Sequence, residues 1–203
     1  MATNKQRSRE TEDAILRAAM KLALEQGVSA VSIRDICREA RVSIGSFYHH
    51  FSSKQQLVNR AFQVFDDELM KNINLSDHSS ALDALTEVLL YQTEFVATHG
   101  GRAVTDYYSA ILNDSQYLAS NPSRQYYRVV YRMVEQAFSQ GYHADGRSVR
   151  QTAELLIQFV RGCLVDWCLH NQAYDVVEQT KDGLRVLLRG LFARAEAFAG
   201  EDE

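Results

Sequence analysis

Proline is almost missing: the 203-residue chain has one, Pro122, together with three cysteines and one tryptophan. With so few helix breakers, and few runs in which apolar and polar residues alternate, an all-α fold is expected. Cys37, Cys163 and Cys168 are odd in number and lack metal-ligand spacing, which argues against a secreted disulfide framework. On one helix, Cys163 and Cys168 would face directions about 140° apart, so they are read as reduced, buried thiols and not as a redox pair. No stretch reaches the roughly 20 uninterrupted apolar residues of a membrane span, and the N-terminus is polar and basic with no apolar run behind it. The expected location is the cytoplasm. There is no Gly-rich phosphate loop, no nucleophile elbow and no His-Glu-x-x-His pair, so no enzyme, cofactor or metal is expected. The adjacent His49 and His50 would point about 100° apart on a helix, which does not suit one metal ion.

What is present is unevenly distributed. The net charge is −4, yet residues 1–60 carry 10 Lys/Arg against 6 Asp/Glu, and residues 61–203 carry 12 against 20. A basic head on an acidic body is the charge pattern of a modular nucleic-acid binder. With 46% hydrophobic residues, the chain has ample material for a small domain and a larger one.

Within the head, Ile15, Ala18, Ala19 and Leu22 mark the inner face of a first helix that stops near Gly27. Ser32 is a good N-cap for a second, with Asp35 as an approximate capping box and Ile33, Ile36, Cys37 and Ala40 facing inward. Ser43 caps a third helix that runs only to about residue 50, and Ser53 with Gln56 forms a fuller capping box for a fourth. Longer helices are expected at 54–72, 80–98, 102–113, 122–140, 148–170 and 175–198, about nine in all. Asn121-Pro122 suits one of the helix starts.

Two short helices joined by a tight turn have the lengths of a helix-turn-helix, whose second helix enters the major groove. On that helix Phe47 and Phe51 share the inward face, leaving Ser43, Ser46, Tyr48 and His49 largely outward as donors, acceptors and aromatics for base edges and phosphates. Gly45 costs about 1 kcal/mol in helix propensity, so a close approach to DNA is the better account of it. Lys54, in the first turn of a helix, opposes the helix dipole, which suits a phosphate contact better than folding. Lys5, Arg7 and Arg9 form a flexible basic arm or a solvated tail.

The run from Val31 to Lys54, with Gly45-Ser-Phe-Tyr-His-His-Phe51 at its core, followed by Leu57, resembles the DNA-binding domain of the TetR (tetracycline-repressor-like) family. The likeness covers about 50 of the 203 residues. This chain departs from the family in having Arg41 where a turn glycine is usual, Cys37 for a small alanine and Phe47 for a leucine. The resemblance implies an all-α homodimer, with a helix-turn-helix head at 1–53 and a helical effector-binding and dimerisation domain at 54–203. It also implies a repressor of a palindromic double-stranded DNA operator, released when a small molecule binds the body. The DNA-facing set is then Ser32, Arg34, Ser43, Ile44, Gly45, Ser46, Tyr48, His49 and Lys54.

In the body, Ala153, Leu156, Val160, Cys163 and Trp167 follow 3-4 spacing, as do Leu184, Leu187, Leu191 and Ala195. Periodicity alone leaves open packing within one chain. The resemblance favours a four-helix dimer interface that includes Leu156, Val160, Cys163, Leu184, Leu187 and Leu191. The aromatic residues Tyr91, Phe95, Tyr107, Tyr108, Tyr117, Tyr126, Tyr127 and Tyr131 suit an apolar pocket with a few polar tips, or an ordinary tyrosine-rich core. Trp167, with Asp166, His170 and Tyr174, is the densest polar-aromatic cluster. The candidate effector residues are Tyr91, Phe95, Tyr107, Tyr108, Tyr127 and Trp167. A DNA-binding protein without an effector is the competing reading, and the long aromatic-rich body weighs against it.

Overall fold

Helical spacing and capping chemistry account for most of the element boundaries. The structure, a computed structural model, describes residues 4–73, 78, 80–99, 104–105, 108–109, 124–144 and 146–194. It divides into two compact units, Met1–Phe65 with His99–Ser120 and Asp66–Thr98 with Asn121–Glu203.

In the first unit, α1 (Asn4–Gln26), α2 (Ile33–Ala40), α3 (Ile44–His50) and the beginning of α4 (Lys54–Asn72) enclose one core. It is built from Ile15, Leu16, Leu22, Ile36, Cys37, Phe47, Phe51 and Leu57, with Ile15 and Phe47 fully buried. Gly27, at φ 88, ends α1 in the left-handed conformation that glycine adopts at little cost. At the start of α2 the capping box is complete: the Ser32 hydroxyl accepts from the Asp35 N–H, and the Asp35 carboxylate accepts from the Ser32 N–H. The box expected at Ser53 is displaced by one residue. Gln56 N–H donates to Ser53 Oγ at 3.1 Å, but Gln56 Oε1 accepts from the Ser52 N–H at 2.5 Å. The flexible basic arm is not observed. Lys5, Arg7 and Arg9 lie inside α1, which begins at Asn4, because the polar residues ahead of Ile15 carry no breaker and continue its helix.

The second unit contains α5 (Ala81–His99), α6 (Gln125–Ser139), α7 (Val149–Leu169) and α8 (Val176–Leu191). Leu85, Val88 and Leu89 of α5, Val130 and Val134 of α6, Leu156, Val160 and Leu164 of α7 and Leu184 of α8 are completely buried. Ser148 and Gln151 make a reciprocal capping box at the start of α7, and the Asp175 carboxylate accepts the Val177 and Glu178 N–H groups that open α8. α6 is capped differently. It starts at Gln125, after the expected position, and its N-cap Arg124 supplies no side-chain hydrogen bond. Asp66 of α4 takes that role instead, accepting from the Gln125 N–H at 3.1 Å and from Arg124 at 2.8 and 3.2 Å. Asn121 and Pro122 lie outside the described residues, as does most of the helix expected at 102–113.

α8 ends at Leu191, short of the expected 198, where Phe192 turns to extended backbone. The chain then forms a two-residue antiparallel pair, β1 (Tyr142–His143) with β2 (Ala193–Arg194). This pair is a small exception to the all-α class, and Ala195 lies outside the described residues.

Candidate nucleic-acid interface

The turn between α2 and α3 is fixed by Arg41 at φ 56 and ψ 42, so the position occupied by glycine in the resemblance keeps its left-handed geometry without one. Arg41 N–H donates to Arg38 O at 3.3 Å and Val42 N–H to Cys37 O at 3.0 Å, which together close the end of α2. Left-handed backbone costs a residue with a side chain on the order of 1 kcal/mol. Cys37 is a core residue, with its thiol pushed up by burial, as the sequence suggests. Phe47 and Phe51 also pack inward, their ring centres 5.8 Å apart.

That packing turns the rest of α3 outward. Ser43, Gly45 and His49 are exposed, as are Ile44 and Tyr48, at 46% and 54% of their surface, while Ser46 is half-buried. Burying Phe47 and Phe51 stabilises by about 1.5–3 kcal/mol each, which offsets the cost of leaving two large side chains in water. Ser43 Oγ accepts from the Ser46 N–H at 3.0 Å, so it caps α3 while its own O–H stays free to donate. A methyl group placed on Gly45 would meet only Ser43 Oγ, at 3.8 Å, an ordinary contact. Nothing among the described residues of the domain therefore requires the glycine.

Two residues of the expected DNA-facing set already have partners within the domain. The Ser32 hydroxyl donates to Asp35 Oδ2 at 2.5 Å as well as accepting from its N–H, and these bonds hold the Asp35 carboxyl below its usual range. The Lys54 ammonium donates to the Val28 carbonyl in the turn between α1 and α2, and partial burial lowers its pKa. The cation read from sequence as a phosphate ligand thus ties α4 to that turn. The residue immediately before Pro, Gly or a cap gives a sequence signal; a carbonyl acceptor 26 residues away gives none. Arg34 differs from both: it is exposed, with no ion pair among the described residues. The neighbouring charges are paired at the surface, Lys21 with Glu39 at 2.6 Å and Arg38 with Asp35 at 2.5 Å.

In the second unit, the hydrogen bonds of the expected effector residues run to different partners. Tyr91 is half-buried beside Phe95, with ring centres 6.3 Å apart, and its hydroxyl accepts from Asn72 Nδ2 at 3.1 Å. Tyr127 is buried and its hydroxyl accepts from Arg161 Nη2 at 2.5 Å. Trp167 is occupied elsewhere, with its indole N–H donating to the Tyr174 carbonyl at 2.8 Å. The Tyr174 hydroxyl donates to Asp166 at 2.7 Å, and burial followed by that carboxylate pushes the phenol up to about 12. Tyr108 is half-buried and belongs to the first unit; Tyr107 lies outside the described residues. Gln92 Oε1 and Thr93 Oγ1 are buried with no hydrogen-bond partner among the described residues.

The expected dimer stripe needs correction. Leu156, Val160 and Leu184 are completely buried within the single chain, and Leu191 is nearly so. Their 3-4 spacing reports the packing of α7 against its own neighbours, because an apolar stripe is equally satisfied by either kind of partner. Cys163 and Leu187 are half-buried. The large apolar groups that do face solvent on these helices are Leu169 of α7, 75% exposed, and Val186 of α8, 70% exposed.

A basic three-helix head with an outward-facing helix rich in donors and aromatics, joined to a helical body, defines a helix-turn-helix transcriptional regulator. Residues 15–61 match the family described as bacterial regulatory proteins, tetR family, and over those residues the chain carries the helix-turn-helix domain of that family. Relatives span nearly its whole length. The HTH-type transcriptional regulator AcrR of Shigella flexneri is 23% identical over 91% of this chain and 90% of its own. The HTH-type transcriptional repressor BepR of Brucella suis is 24% identical over 96% and 98%. Thermus thermophilus FadR, a TetR-family repressor solved in complex with lauroyl-CoA, shares the fold with a TM-score of 0.68 at 18% identity, covering 95% of this chain and 99% of that one. These relatives are regulators, not enzymes. No group of three metal-ligating side chains occurs among the described residues, and none of their helices is long and apolar enough to cross a membrane.

Proposed function

We propose that the protein is a dimeric repressor that holds a palindromic operator with two copies of α3 and releases it when a small molecule binds the helical body. The observation that carries this reading is the division of α3 into a buried Phe47/Phe51 face and an exposed face of Ile44, Gly45, Tyr48 and His49. An exposed isoleucine and tyrosine on a seven-residue helix contribute little to the domain's own packing beyond the edge-on contact of Tyr48 with Phe47, but they offer apolar contact to thymine methyls and stacking against sugar and base edges. Ser43 and Ser46 sit beside them, and Arg34 offers a free guanidinium to a phosphate. Lys54 contributes by holding the α1–α2 turn, with any phosphate contact secondary.

A helix this short presents few base-reading groups, so specificity requires two copies about one helical turn, ~34 Å, apart. The exposed Leu169 and Val186 support self-association through α7 and α8, by a face next to the stripe expected from sequence. The repressor sense is supported by BepR, and control by a ligand is supported by FadR and its acyl-CoA complex. The test is selection of genomic fragments bound by the purified protein, followed by anisotropy titration of the recovered sequence. Recovery of a palindrome bound with two protomers is expected. Retention of only non-specific DNA, or unchanged affinity in Tyr48→Ala with the same helical circular dichroism, would refute the reading.

A further inference from the structure

Arg161 is a half-buried cation in the helical body whose charge no carboxylate neutralises among the described residues. Its recorded hydrogen bond runs from Nη2 to the hydroxyl of Tyr127, a neutral and buried group. On its own helix the positions three and four residues away are Ile157, Gln158, Leu164 and Val165, so no acidic residue lies within one turn of it. Two carboxylates elsewhere in the unit are already occupied. Glu154 accepts from Arg150 at 2.8 Å and from the Tyr131 hydroxyl at 3.3 Å, and Asp66 is held by Arg124 and the Gln125 N–H.

Desolvating a guanidinium without an opposite charge is costly, and a phenol hydroxyl returns only part of the loss. Packing by itself would be served as well by leucine or methionine at this position. What arginine adds is a planar fork of donors that matches a carboxylate or phosphate in two-point contact. Of the residues one turn from the pair, Val130, Ile157 and Leu164 are buried and apolar, while Arg124, Tyr131 and Gln158 are polar. An anion reaching Arg161 would therefore have hydrocarbon on one side and polar groups on the other.

We infer that Arg161, oriented by Tyr127, receives the anionic head, a carboxylate or a phosphate, of an amphiphilic effector whose apolar portion lies against the helical body. This inference rests on the ligand-responsive reading proposed above and specifies the effector's chemical class. Arg161 supplies the charge, and Tyr127 orients the guanidinium.

The test is calorimetric titration of the full-length protein with dodecanoate, lauroyl-CoA and the uncharged 1-dodecanol. At least one of the two anions should bind ten times or more tighter than the alcohol, and the stronger of them separates carboxylate from phosphate recognition. Arg161→Gln should raise the Kd for that anion roughly ten- to a hundredfold, the scale of lost charge-assisted hydrogen bonds, and leave dodecanol within twofold. Tyr127→Phe, which keeps the ring, should weaken the anion by a smaller factor and guards against a folding defect in the arginine variant. Equal affinity for acid and alcohol, no binding of either anion, or full anion affinity in Arg161→Gln would each overturn the inference. Operator binding by both variants without ligand, measured in parallel, keeps this outcome separate from the regulatory reading: a wild-type protein that binds no DNA sinks that reading whatever the calorimetry shows.

Discussion

Replacing Gly45 with alanine should move stability and DNA affinity in opposite directions. Gly45 is the second residue of α3, with ordinary helical backbone, and the added methyl would meet only Ser43 Oγ at 3.8 Å. Alanine in a helix interior gains up to about 1 kcal/mol over glycine, and somewhat less near a terminus, so a gain of about 0.5–1 kcal/mol is expected. For a chain of this size that raises the melting midpoint by roughly 1–4 °C. Against DNA the same methyl would occupy the gap through which backbone and duplex approach. Overpacking of a close interface costs about 1–3 kcal/mol, which corresponds to roughly a 5- to 150-fold loss of operator affinity per contact. Thermal unfolding by circular dichroism and anisotropy on the selected operator measure the two effects on one preparation. A lower midpoint would show that the glycine serves the fold after all, and a stable variant with unchanged affinity would remove the close approach of α3 to DNA.

Lys54→Met should cost about 1–2 kcal/mol of stability, since a charged donor to the Val28 carbonyl is lost. Its operator-binding salt slope should fall by less than the ~1 expected for a full phosphate contact, and a drop of one with stability unchanged would restore the phosphate role. Val186→Glu should give monomers by light scattering with the helical signal retained, whereas a persistent dimer would place the interface elsewhere. Asp66→Ala removes a carboxylate that is 92% buried by its side chain, whose exposure is 8%, and takes with it the cap of α6. A loss of about 3–5 kcal/mol in urea denaturation is expected, and Asp66→Leu combined with Arg124→Leu should recover most of it; equal losses in single and double variants would show that the pair is not coupled.

Most helix boundaries were legible because their determinants are local. Ser32 with Asp35, Ser148 with Gln151, and Asp175 ahead of Val176 are capping signals within four residues of the groups they satisfy. α6 was misread because its cap, Asp66, is brought to it by the tertiary fold from 59 residues earlier in sequence. The basic arm was misread for a different reason: polar residues without a breaker extend a helix as readily as they form a tail, and no spacing rule tells the two apart.

The exposed face of α3 was determined by the sequence, since Phe47 and Phe51 lie four apart and, once both are buried, the orientation of Ile44, Gly45, Tyr48 and His49 follows from helix geometry. Tertiary structure alone decided how the longer-range groups are used. It placed Lys54 on a distant carbonyl, drew Leu156, Val160 and Leu184 into the chain's own core and left Leu169 and Val186 outside. It also set Arg161 against Tyr127. A hydrophobic stripe or a single cation carries no record of its partner, and the partner is fixed only when helices far apart in sequence pack together.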